Sequence, residues 1–174
     1  MKDFLQGKWL KHPLHPLLVH IPTALWPAAL VFDILSMFGV GGNAMVQTSF
    51  YSILFGLVVA LLAAAAGLAD WLDIRPGKPA KRMGLIHASI NLSVTVVQVV
   101  NLALRWGTFS TATAVDTLPM VLSLVSTLAL LVSGYLGGRM VYDQGISIAR
   151  LSKYEWRKRA ELAGNAVPEK GGDA

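Results

Sequence analysis

HPLHPLLVHIP, residues 12–22, carries three of the chain's four histidines at the threshold of a long apolar run. From Leu17 to Met37 only Asp33 brings an acidic or strongly basic charge. A helix of roughly 20 apolar residues crosses the ~30 Å hydrocarbon core of a bilayer. Three more runs of that kind follow, Phe50 to Trp71, Gly84 to Arg105 and Leu118 to Gly138. The first exceeds the roughly 7–15 apolar residues of a signal-peptide core, and no clean small-x-small cleavage site follows it. Four spanning helices are therefore expected.

Composition agrees. Hydrophobic residues make up 54% and charged residues 14%, whereas a soluble domain carries about 25% charged residues. The absence of cysteine excludes disulfides, cysteine-ligated iron–sulfur clusters and covalent c-type haem. A net charge of +5 is common to nucleic-acid binders, but its distribution here favours a membrane surface. Lys2, Lys8 and Lys11 precede the first run, and Arg75, Lys78, Lys81 and Arg82 separate the second from the third. Arg139, Arg150, Lys153, Arg157, Lys158 and Arg159 follow the fourth, while GVGGNAMVQTS and GTFSTATAVDT carry no lysine or arginine. The positive-inside rule then puts both termini and the middle loop in the cytoplasm. Trp9, Trp71, Trp106 and Trp156 fall near span ends as interfacial anchors, and Trp26 does not.

The expected fold is all-α: an integral membrane four-helix bundle, up-and-down, with both termini cytoplasmic. Residues 1–16 form a cytoplasmic segment and 17–138 the four-transmembrane-helix domain. Residues 139–164 read as a basic helix suited to an anionic lipid interface, with a plain solvated tail as the alternative. Residues 165–174 read as disordered.

In this topology His20 and His87 each lie about three residues inside their spans, at nearly equal depth below the cytoplasmic boundary. Asp70, Asp73, Arg139, Tyr142 and Asp143 gather at the same face. Along the third span His87, Asn91, Gln98, Asn101 and Arg105 fall within roughly 40° of one line at about 100° per residue. Lipid offers amides no partners, so this stripe faces the bundle interior. Gln98 and Asn101 read as helix–helix glue, and Asn91, one turn from His87, groups with a cofactor site. Asp33 lies level with Asn101 and is expected to pair with it or with Arg105 as a structural clamp, a proton relay being the alternative. Pro22 and Pro27 free carbonyls in the first span, and Pro16 suits a first helical turn with His15 as cap. The AAAAG run at 63–67, with Ser126, Ser133, Gly134, Gly137 and Gly138, gives small faces for close packing or for a flat cofactor.

HPLLVHIPTAL, GLAD (67–70), IHASIN (86–91) and GGRMVYDQG (137–145) together resemble the bacterial membrane family called domain of unknown function 2231. The likeness covers roughly residues 12–148 and is most specific in HP-x-x-VH-x-P. It implies a four-helix module of the bacterial cytoplasmic (inner) membrane without an assigned activity. Members occur fused to or beside Rieske-type or cytochrome-type domains, which implies a redox partner protein. The motif positions that carry over are His15, His20, Pro22, Asp70 and His87, with His12 an extra.

Three readings follow. The first is electron transfer by a b-type haem ligated by His20 and His87 across the bundle diagonal, with Arg139, Lys81 or Arg82 near the propionates. The second is a single transition-metal ion, Fe, Zn or Cu, held by His12, His15 and His20 with Asp70 or Asp73, or by His15, His20, His87 and Asp70. The third has no cofactor: the histidines cap helices and bond freed carbonyls. No residue sits in a nucleophile or general-base context. The expected partners are the lipid bilayer, a redox protein and a second copy of the chain, with no nucleic acid.

Overall fold

The structure, a computed structural model, describes residues 1–146 and 153–164. A short helix α1 (Lys2–Leu5) and a 3-10 turn (Lys8–Leu10) lead into four long helices. These are α2 (Leu14–Met37), α3 (Asn43–Leu72), α4 (Pro79–Arg105) and α5 (Thr117–Tyr142), and α6 (Lys153–Leu162) follows. The 139–164 segment therefore begins inside α5. Its residues 147–152 and the 165–174 tail lie outside the described residues.

Proline sets two of the starts. Pro13 is the extended N-cap of α2, with φ −60° and ψ 125°, and Pro79 opens α4. Both sit where a missing N–H costs the helix nothing. Helix α2 thus begins before His15, which is its second residue and makes no capping bond. The expectation that His15 caps the helix is corrected by that start. At Pro22, Thr23 Oγ1 donates to the carbonyls of Val19 (2.7 Å) and His20 (3.1 Å).

α2 packs chiefly on α3, and α4 on α5. Looser α2–α5 and α3–α4 seams close the ring, so α2 and α4 face each other across the diagonal and run parallel. Each of the four helices is long and apolar enough to cross a membrane.

Burial is inverted relative to a soluble protein. Leu61, Leu92 and Leu131 are about two-thirds exposed, while Asp33, Gln98, Asn101, Arg105 and Ser123 are at most 2% exposed. That distribution suits a hydrocarbon solvent, which penalises polar groups and tolerates apolar ones. A middle layer of Trp26, Ala29, Ile53, Leu57, Val94 and Leu130 forms the apolar core. Polar layers lie on either side of it.

Candidate functional site

The polar layer near the start of α2 is built on two imidazoles. His15 of α2 and His87 of α4 face each other with ring centres 6.3 Å apart and planes at 87°. His15 Nδ1 lies 2.8 Å from the carbonyl of Ala63 on α3, and His87 Nδ1 lies 2.9 Å from that of Ser133 on α5. A carbonyl only accepts, so His15 Nδ1 carries hydrogen and its Nε2 keeps the lone pair, whereas His87 Nδ1 meets both the Ser133 carbonyl and, at 3.0 Å, the Ser133 hydroxyl. Asn91 Nδ2 lies 2.8 Å from the His87 carbonyl, in reach of Ser133 Oγ, and 3.2 Å from His87 Nε2.

Each ring rests on a glycine of the helix it bonds. A Cβ on Gly67 would stand 2.7 Å from His15 Nδ1, and one on Gly137 would stand 3.2 Å from the His87 ring. The two docks repeat: each glycine lies four residues after the carbonyl that its histidine bonds. Gly67 and Gly137 are therefore seats for imidazoles as well as helix-packing positions.

Several expected members of the site stand elsewhere. His20 is exposed on the outside of α2 and does not meet His87; His15 takes that place. The physical reason is helical phase. His20 precedes the inward-facing Asp33 by thirteen residues, about 220° of rotation, whereas His15 precedes it by eighteen, five whole turns. His12 is exposed, with Nδ1 3.1 Å from the carbonyl of Pro13. Asp70 is half-buried, and its Oδ2 has no partner among the described residues. Among those residues no three histidine or acidic side chains converge as a metal-binding group. Neither expected set, drawn from His12, His15, His20, His87, Asp70 and Asp73, is thus assembled.

Arg139 is exposed, and its Nε donates to Asp143 at 2.7 Å. Lys81 Nζ donates to the Trp71 carbonyl at 2.8 Å and lies 3.5 Å from the centre of that ring.

The opposite polar layer is the clamp. Arg105 forks onto Asp33, Nη1 to Oδ1 and Nη2 to Oδ2, both at 2.7 Å. Ser123 donates to Asp33 Oδ2 at 2.8 Å and accepts from Arg105 and Asn101. Ser49 accepts from Arg105 Nη1 at 3.0 Å, and Asn101 Oδ1 accepts from Nε at 2.9 Å. Every donor nitrogen of the guanidinium thus has an acceptor, as a dry charge requires. The expected Asp33 clamp is present, with Arg105 as its ionic partner.

His15 to Asp33 and His87 to Arg105 span the same eighteen residues, about 27 Å of helix. Two parallel helices therefore meet across the diagonal at two levels in one register.

The family model for a predicted membrane protein family, DUF2231, matches residues 11–150. No curated protein and no solved structure matches the chain. That match takes in all four long helices, the histidine pair and the clamp, and the chain belongs to this family of predicted membrane proteins.

Proposed function

We propose that this integral membrane protein is a small electron-transfer module in which His15 and His87 hold one b-type haem. The observation that carries the reading is the facing pair itself, at 6.3 Å and near-perpendicular. Two imidazoles on diagonal helices at one depth are the residues that would hold a b-type haem iron.

The donor set fits as well. The Ala63 and Ser133 carbonyls hold the two Nδ1 atoms, which orients both rings as second partners orient ligating histidines, and Asn91 Nδ2 stands 3.2 Å from His87 Nε2. The glycine seats leave no side chain to push either ring aside, and the looser seams run between the hairpins that carry the two histidines. Bound haem would supply one-electron transfer. The chain's own residues orient the ligands and exclude bulk water with the apolar layer of Trp26, Val94 and Leu130.

With the positive-inside distribution, this site lies toward the cytoplasmic face of a bacterial inner membrane, both termini inside, and its redox partner docks there. The two carbonyl bonds also favour a second reading, in which the histidines only tie α2 to α3 and α4 to α5.

An absorption spectrum separates the two. Protein purified in detergent from cells supplied with a haem precursor is expected to show a Soret band, with split visible bands after dithionite. His15→Ala and His87→Ala are each expected to remove them, and His20→Ala to leave them unchanged. A featureless spectrum would overturn the haem reading. A spectrum lost in His20→Ala but kept in His15→Ala would overturn the ligand assignment.

A further inference from the structure

Helices α4 and α5 meet in one antiparallel register. His87 lies against Gly137, Asn91 bonds Ser133, and Asn101 bonds Ser123 at 3.0 Å. Each step of one helix is matched by an opposite step of the other, which places Gln98 across from Ser126. Both side chains are fully buried, at 0% exposure. Both also carry a polar atom without a protein partner, Gln98 Nε2 and Ser126 Oγ. Gln98 Oε1 is already taken by Asn101 Nδ2 at 3.0 Å, so its orientation is fixed and the amide N–H2 is the group left over.

Two facing orphans, one a donor and the other a hydroxyl, are costly in a dry interior and inexpensive when one small molecule satisfies both. Beside them an open, largely apolar groove between α4 and α5, lined by Ser93, Val94, Val97, Val125, Ser126 and Ala129, runs past Ser126.

We propose that one ordered water sits between Gln98 and Ser126, accepting from Gln98 Nε2 and hydrogen-bonded to Ser126 Oγ. This hydration site extends the clamp inward by one rung, from Arg105 through Asn101 and Gln98 to Ser126. It ends at the apolar layer of Val94, Leu130 and Trp26, so the polar network reaching in from the clamp stops short of the histidine pair. The site does not depend on haem at the other end.

The test is water-to-protein magnetisation transfer in solid-state NMR of the full chain in bilayers, with the side-chain amides labelled by nitrogen-15. Gln98 is expected to receive water magnetisation several-fold faster than Asn101, whose amide hydrogens are held by Gln98 Oε1 and Ser123. Ser126→Ala is expected to cut the Gln98 transfer several-fold, and Ser126→Thr, which keeps the hydroxyl, to restore it. No transfer to Gln98 in the wild-type chain would overturn the site. Equal transfer in wild type and Ser126→Ala would overturn the bridge.

Discussion

Gly67 lies under a ring that a single methyl group would displace. A Cβ there stands 2.7 Å from His15 Nδ1, against 3.2 Å for the nearest ring atom at Gly137. Overpacking of a filled interior costs typically about 1–3 kcal/mol. Gly67→Ala is therefore expected to destabilise the bundle by about that much, and Gly137→Ala by less, because a shift of tenths of an ångström relieves it. Thermal unfolding in detergent checks the order, and a larger loss at Gly137 would contradict it. The partner of Asp33 could be found from the sequence because depth alone selects Arg105 and Asn101. The choice between His15 and His20 could not be made on depth. Both lie near the boundary, and Pro16 suggested a helix starting after His15. Phase measured from Asp33 separates them, since five whole turns keep His15 inward while His20 swings to the lipid side.

Among the elements, α4 was the most legible. Its polar residues repeat on one face, and a face that lipid cannot satisfy must turn inward. The seats on α3 and α5 were less so, because a small residue looks alike in sequence whether it admits a helix or an imidazole. The clamp joins α2 and α4, which otherwise meet little. Breaking a buried ion pair by removing one partner costs about 3–5 kcal/mol. Arg105→Met and Asp33→Leu are each expected to cost about that, and the double variant clearly less than their sum. A thermodynamic cycle in detergent checks this, and strict additivity would show that the charges act independently. Helix α1 is held differently, by Lys2 and Gln6 on Asp73 and by Gln6 Nε2 on the Ala69 carbonyl (3.2 Å). Bonds from Lys2 and Gln6 hold the Asp73 carboxyl below its ordinary range. Docking is accordingly favoured above the ordinary carboxylate pKa and lost as pH falls through the lowered one. Limited proteolysis of residues 1–11 should accelerate in acid, and Asp73→Asn should remove the pH dependence.

For the whole molecule, the four apolar runs and their charged flanks were enough to give the bundle, because bilayer thickness sets helix length. The orientation assigned from those flanks can be tested directly in a chain that lacks cysteine. Cysteines at Gly41 or Thr111 are expected to react with a membrane-impermeant maleimide from the periplasmic side, and one at Lys78 only after the membrane is opened. The reverse pattern would invert the topology. The clamp also bears on how the protein is made. Its carboxylate belongs to the first hairpin and its guanidinium to the second. Asp33 lies in the last turns of α2 and Arg105 closes α4, so each costs less on insertion than the roughly 2.5–3.5 kcal/mol of a charge at a helix centre. The first half of the nascent chain thus leaves the translocon with an unmatched anion, and the second arrives with the cation that neutralises it. The buried pair therefore closes only when the second hairpin packs against the first.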